Sequence, residues 1–437
     1  MNADERIKVS GHALVFVVLK PTMARRRGGR VMLAFDETRD AQVETARKLR
    51  GHFRTFPNSR LSVLAREAPP PAADGEAVEV VADERVRAVV GRSSGLRYYP
   101  NLGILYGTVD EKGLTALSQD DAVEEVFAPP TLGLIRPEED AALDGPERGI
   151  SWGVRRLRVD RLWERGLTGD GVLIGHADTG VDSAHPALQG KVDAFAYFDV
   201  TGQQIAKAVS GDTQYHGSHT AGILVGAAFD DLSFGVAPGA RLASATVIEG
   251  GDVPGRVTGA LNWAVGQGVR IVNLSLGLPG FQPQLSTFMR ILRQRNILPV
   301  VAIGNDGPQS SRVPGNVAES LSVGAIDQTD QIWYRSSSEQ IDEVPKRITP
   351  TLIGPGAGVW SCVPGAAMRS LSGTSMAAPH VAGLAALLMQ HRPEASIDAI
   401  QNAITGSCKR PAGISTLRGN KGVPDAVDAL ALLEATS

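Results

Sequence analysis

Ser375 stands in the stretch SGTSMAAPH (372–380), directly ahead of the apolar helical run VAGLAALLMQ. A serine at a helix start either caps the helix or offers its hydroxyl where free N–H groups and the positive dipole end stabilise a developing oxyanion. His216 and His219 fall in HGSHTAG (216–222), His176 and Asp178 in GHADTG, and Asn305 follows VVAIG. Singly, each has a structural explanation, because Asp-Thr-Gly and Asn-Asp-Gly are ordinary turn chemistry. Together they offer two chemistries. In the first, Asp178 orients the His216 imidazole, which takes a proton from Ser375. The Asn305 amide and the Ser375 backbone N–H then hold the oxyanion of an acyl transfer. In the second, His176, Asp178, His216 and His219 hold a metal for hydrolysis. The glutamate and spacing of HExxH are absent, and no cysteine or distant histidine is clearly recruited. A noncatalytic binding protein with a blocked cleft is a third class, against which the presence of all four catalytic residue types argues.

These residues need strand ends and helix starts to hold them. From Ile150 onward, GVLIGHADTG, ARLASATVI, GVRIVNLSLG, ILPVVAIGN and ESLSVGAI are apolar, β-branched runs ending in glycine or polar residues. Helical stretches alternate with them: GSHTAGILVGAAF, VTGALNWAVGQG, LSTFMRILRQRN and MAAPHVAGLAALLMQHR. Continuous apolar strands alternating with helices predict a parallel sheet covered on both faces, with ligands beyond the carboxyl ends of its strands. Asp178 and Asn305 occupy such ends. Pro379 removes one backbone donor near the start of the last helix.

Before residue 145 the pattern is different. ALVFVVLK reads as a strand and AQVETARKLRGHF as a helix; NLGILYGTV, EKGLTALSQ and AVEEVFAP read as strand, helix and strand. AREAPPPAADGEA (65–77) is a Pro/Ala-rich linker or long loop, and RPEEDAALDGPERG is an acidic, turn-rich exposed connector. The expected domains are a small α+β unit over 1–145 and an α/β unit over 146–437.

Composition narrows the rest. The chain has 437 residues, 43% hydrophobic and 21% charged, with a net charge of −3, which argues against a dedicated nucleic-acid binder. The densest basic cluster, Arg25, Arg26, Arg27 and Arg30, lies beside two glycines and reads as a solvated loop. ALVFVVL is far shorter than the roughly 20 residues a spanning helix needs, and no signal-peptide cleavage site follows it. The expected location is cytoplasmic, with secretion as the alternative, and no membrane partner is expected. The pairing of Cys362 and Cys408 is not decidable from sequence.

In combination, DTG, HGSHTAG, the glycine-flanked Asn305 and SGTSMAAPH closely resemble the subtilisin-like serine proteases, the subtilases. The likeness runs over roughly Ile150 to Leu433 and includes ISWGV, GLTGDGV, NLSLG, VPGN and GVPDAVDAL. The order Asp178, His216, Ser375 is that of the family. An α/β-hydrolase would run serine, acid, histidine, and its GxSxG elbow fails here because Met376 is followed by Ala377. The resemblance implies a mainly parallel seven-stranded sheet with helices on both faces and endopeptidase activity on protein or peptide substrates. It makes Ser375 the nucleophile, His216 the general base and then acid, Asp178 its orienting carboxylate, and Asn305 an oxyanion donor. It also makes Ser275, Leu276 and Gly277 the edge that pairs with extended substrate, and Ala302, Ile303 and Gly304 one wall of the pocket before the cleaved bond.

No cofactor is required by this resemblance. The calcium site many subtilases build near the aspartate motif is not matched, because His185-Pro186 is followed by Ala187; Asp230 and Asp231 could support a different one. Residues 336–351 depart from the familiar pattern and read as an altered surface loop. Glu249 and Asp252 lie in a stretch that lines outer subsites in the family; they read as surface charge, with a taste for basic substrates as the functional alternative. NLGILYGTVDEKGLTALSQDDAVEEVFAP resembles, in outline, the ending of a subtilase propeptide, a ferredoxin-like inhibitory domain that leaves its tail in the cleft. If the chain is made as a zymogen, cleavage is expected between about residues 134 and 149.

Overall fold

The computed structural model describes residues 2–21, 35–67, 95–140, 146–248, 250–342 and 346–436. The basic cluster near Arg25, most of the Pro/Ala-rich linker and Glu249 lie outside these. Two compact units are present: Met1–Thr131 with Phe198–Lys207 and Gly250–Gly266, and Leu132–Tyr197 with Ala208–Glu249 and Gln267–Ser437. Residues 132–140 therefore count with the second unit.

In the first unit, β1 (Ala13–Leu19), β2 (Leu96–Tyr99), β3 (Ile104–Val109) and β4 (Val123–Phe127) form one sheet in the order β2-β3-β1-β4. All three pairings are antiparallel. Period-2 alternation makes both faces apolar. Val15, Val17, Leu105 and Val109 join a core with Ala46, Leu49, Leu114 and Leu117 from the helices Phe35–Leu49 and Glu111–Gln119. Asp110 caps the second helix, its carboxylate accepting from Gly113 N at 2.7 Å. From the alternate positions Phe16 and Tyr106 stack at 4.4 Å.

Residues 198–207 and 250–266 complete this unit through polar contacts. Tyr99 donates to Gly255 O at 3.1 Å, and Asn101 pairs with Asn262 twice at 2.7 Å. Arg97 Nη1 meets Asp252 Oδ2 at 2.5 Å, Tyr106 donates to Asp252 Oδ1 at 2.6 Å, and a second Arg97 nitrogen donates to Thr201 O. Asp252 is 1% exposed. It is a buried, paired carboxylate and not the surface charge its sequence context suggested, because Arg97 and Tyr106 approach it from residues far away in the chain.

In the second unit β5 is Gly133–Leu134, β6 Glu138–Glu139, β7 Leu173–Asp178 and β8 Val192–Phe198, while β9 (Gln204–Ile205) falls in a stretch that counts with the first. Then follow β10 (Arg241–Thr246), β11 (Ile271–Leu274), β12 (Leu276–Pro279), β13 (Leu298–Ala302), β14 (Leu321–Ile326), β15 (Leu352–Pro355), β16 (Val359–Val363) and β17 (Ala367–Ser372). Its main sheet runs β8-β10-β7-β11-β13-β14-β15, the seven strands expected, paired parallel throughout. The helices His216–Val225 and Thr374–His391 are buried along almost their whole lengths, their polar residues included.

Residues 336–351 are not a plain surface loop. Ser336, Ser337 and Ser338 are buried, and Glu339–Ile341 pairs antiparallel with Arg347–Thr349. Cys362 and Cys408 are both free thiols, so they do not pair.

Candidate active site

Asp178 is the last residue of β7 and His216 the first of its helix, so one backbone switch presents each side chain at the same edge of the sheet. The approach is tight: a Cβ on Gly217 would lie 2.0 Å from Gly180 O, so only glycine lets the helix start this close to the turn after Asp178. His216 Nδ1 lies 2.7 Å from Asp178 Oδ1, which also accepts from Thr179 N at 2.7 Å. Both side chains are 1% exposed. Burial alone would raise the Asp178 carboxyl; the charge and hydrogen bond of His216, with His176 and the Thr179 N–H, outweigh it and hold the group below its usual range.

The other oxygen of Asp178 is served by Thr220, and through it by His176 and Ser244, contacts that motif reading did not find. Thr220 Oγ1 approaches Asp178 Oδ2 at 3.3 Å, His176 Nε2 meets Thr220 Oγ1 at 2.8 Å, and His176 Nδ1 meets Ser244 Oγ at 2.9 Å. One proton arrangement satisfies all of these contacts: Ser244 donates to Nδ1, Nε2–H donates to Thr220, and Thr220 donates to the carboxylate. Burial pushes His176 toward its neutral form, as that arrangement requires.

This geometry removes the four-ligand metal reading. Both His176 nitrogens face hydroxyls, and His219 Nε2 donates between Val359 O and Arg369 O, each 3.1 Å away. Among the described residues no group of three or more His, Cys, Asp or Glu could hold a metal ion. Asp230 and Asp231 are exposed residues in left-handed backbone, φ 49° and 60°.

Ser375 is the second residue of the helix Thr374–His391, with Asn305 beside it past the end of β13. Asn305 Oδ1 accepts from Thr374 N at 3.0 Å and from Thr374 Oγ1 at 2.9 Å, which turns the amide Nδ2 outward. Pro379 leaves the Ser375 carbonyl without its helical donor, and Ser275 Oγ faces that oxygen at 3.4 Å.

The cleft is filled by the segment 133–140, whose residues 136–140 composition had suggested were part of an exposed connector. Gly133 and Leu134 pair antiparallel with Gly277 and Leu276, and Ile135 N donates to Ser275 O at 3.1 Å. Ile135 is 1% exposed. Ser375 Oγ donates to Ile135 O at 2.9 Å, and Asn305 Nδ2 to Arg136 O at 2.8 Å. His216 Nε2 is buried without a hydrogen-bond partner. Ser275, Leu276 and Gly277 thus meet an extended strand of the chain itself. Ala302, Ile303 and Gly304 form the buried strand end that leads into Asn305, and Ile303 exchanges backbone hydrogen bonds with Val323 and Arg312.

Comparison with known proteins identifies the family. The model of the family described as "Subtilase family", Peptidase_S8, matches residues 169–424, more than half of the chain. M-protease of Shouchella clausii is 35% identical over 288 residues, covering 65% of this chain and 71% of that protein. Subtilisin BL of Lederbergia lenta is 36% identical over 258 residues, 58% of this chain and 90% of its own. Subtilisin E of Bacillus subtilis is 28% identical over 294 residues, 65% and 70% of the two chains. No helix among the described residues is long and apolar enough to cross a membrane. The chain belongs to the subtilase family and is a subtilisin-like serine endopeptidase.

Proposed function

We propose that Ser375, His216, Asp178 and Asn305 carry the reaction, and that the N-terminal part restrains it by leaving residues 133–140 in the cleft. The observation that carries this reading is the approach of Ile135 to Ser375: its N–H is on Ser275 O and its carbonyl oxygen on the Ser375 hydroxyl. A peptide in that position presents its carbonyl carbon to Ser375 Oγ. His216 Nε2 takes the hydroxyl proton as the C–O bond forms and returns it to the leaving amine as the C–N bond breaks. Asp178 keeps the Nδ1 proton in place and stabilises the imidazolium. The Asn305 amide and the Ser375 N–H receive the oxyanion, a donor pair whose side-chain member is commonly worth about 10²–10³ in turnover. Water then cleaves the acyl-enzyme by the same path.

In the arrangement described, the Ser375 hydroxyl points to a carbonyl oxygen and Asn305 is engaged by Arg136, so neither is set for attack. Within the first unit, the order strand, helix, strand, strand, helix, strand, to which the helices Ala3–Ser10 and Arg60–Glu67 are added, fits a ferredoxin-like propeptide. We place self-cleavage between Ile135 and Arg136, inside the window expected from sequence. No step needs a metal, and we propose that a chelator leaves peptide cleavage unchanged.

Wild type and Ser375→Ala, expressed in parallel and weighed intact, test this. The expected result is a wild-type chain cut after Ile135 and a whole mutant. Removing the nucleophile should lower peptide turnover by about 10⁶. Equal cutting of both chains would sink self-processing, and failure of a fluorophosphonate to label Ser375 in the wild type would sink its assignment as nucleophile.

A further inference from the structure

Beyond Ile135 the occluding segment turns acidic: Arg136 and Pro137 are followed by Glu138, Glu139 and Asp140. Consecutive carboxylates on a connector are usually solvated. These three are each held by side chains from later elements. Glu138 and Glu139 pair antiparallel with Ser372 and Leu371 of β17. Tyr334 donates to Glu138 Oε2 at 2.7 Å, and Arg369 Nη1 meets Glu139 Oε1 at 3.1 Å. Asp140 accepts from Ser370 Oγ and Ser372 Oγ, both at 2.7 Å, and its N–H donates to Ser370 O at 3.3 Å.

The receiving surface is built by the scaffold. The Arg369 guanidinium lies over the Tyr215 ring at 5.0 Å, and Tyr215 immediately precedes His216. Burial, and then Glu139, raise the Tyr215 hydroxyl. β17 is fixed by five paired residues of β16, and its Arg369 carbonyl accepts from buried His219. The strand and its cation therefore stand ready for an incoming chain.

We propose that the cleft beyond the cleaved bond is a subsite for acidic polypeptide, formed by Arg369, Tyr215, Tyr334, Ser370 and Ser372. The enzyme accordingly favours substrates carrying Glu or Asp at the third to fifth residues after the cut. This rests on the reading that the Ile135–Arg136 bond is presented to Ser375, and it deepens that reading by naming the substrate class. Each carboxylate gains a neutral or cationic donor, and the antiparallel ladder sets the register that brings every second side chain back to the same face. It also replaces the alternative reading of a taste for basic substrates, since Asp252 is engaged by Arg97 and Tyr106.

The test uses the full chain and internally quenched peptides identical up to the second residue after the cut, continuing as Glu-Glu-Asp, Gln-Gln-Asn or Lys-Lys-Lys, with a fourth peptide truncated there. The acidic peptide should exceed the Gln-Gln-Asn peptide in kcat/KM by about tenfold at low salt, a ratio that shrinks as salt rises. Arg369→Glu should invert the order of the acidic and Lys-Lys-Lys peptides. Because the readout is a ratio, a general loss of activity in the variant cancels. Equal rates for the acidic and Gln-Gln-Asn peptides, or an acidic preference that survives Arg369→Glu, would overturn the subsite. Cleavage of the truncated peptide by Ser375→Ala at the wild-type rate, or by no form of the protein, would instead overturn the reading beneath it.

Discussion

Two arginine–carboxylate pairs join residues far apart in the chain, and they differ in burial. Arg97 and Asp252 are 17% and 1% exposed, whereas Arg369 and Glu139 are 48% and 54% exposed. The first pair sits among Tyr99, Tyr106 and Asn101 contacts inside one compact unit; the second lies on the rim of the cleft. Burial makes the first pair a condition of that unit's stability, since an unpaired charge there has no water to replace its partner. Exposure leaves the second pair little stabilising weight, but it keeps Arg369 accessible to a different carboxylate. The same chemistry thus supports structure in one place and selectivity in the other.

The largest effect that would break this contrast is Arg97→Leu. Stranding Asp252 should cost about 3–5 kcal/mol of the first unit's stability, read by urea denaturation. Arg97→Leu combined with Asp252→Leu should recover much of it. A cost below about 1 kcal/mol would mean that water reaches the pair, and the two pairs would then be of one kind.

An intermediate effect comes from buried titratable groups without a charged partner. Burial lowers His219 to about 3 and His380 to about 4. In the unfolded chain both would bind protons below about 6.5. The unfolded state therefore holds more protons than the folded one below that pH, and stability falls as pH drops from about 6.5 toward 4. Tm measured across this range should decline, and His380→Gln should flatten part of the decline. A Tm that stays level down to pH 4 would contradict their burial as neutral rings.

The smallest effect belongs to the rim. Arg369→Ala should change unfolding free energy by less than about 1 kcal/mol, measured by the same denaturation. A loss comparable to that of Arg97→Leu would make the rim pair structural and would remove its distinction from the buried one.

The sequence by itself determined the chemistry and the local frame. Asp178, His216 and Ser375 were legible because each sits in a short motif at a strand end or helix start, where glycines permit close approach and apolar periodicity marks the element. β1 and the helix Glu111–Gln119 were legible for the same reason, being continuous apolar and amphipathic runs. What tertiary structure decided has no local pattern. Arg97 finds Asp252 across 155 residues, and Arg369 finds Glu139 across 230. His176 stood as a metal ligand only in the alternative chemistry, and Thr220 and Ser244 take its two nitrogens. The acidic stretch at Glu138 read as a solvated connector, because charge in a sequence looks the same whether water or a distant side chain will answer it. Only folding fixes which groups share a dry or crowded space, and that decided the occupant of the cleft.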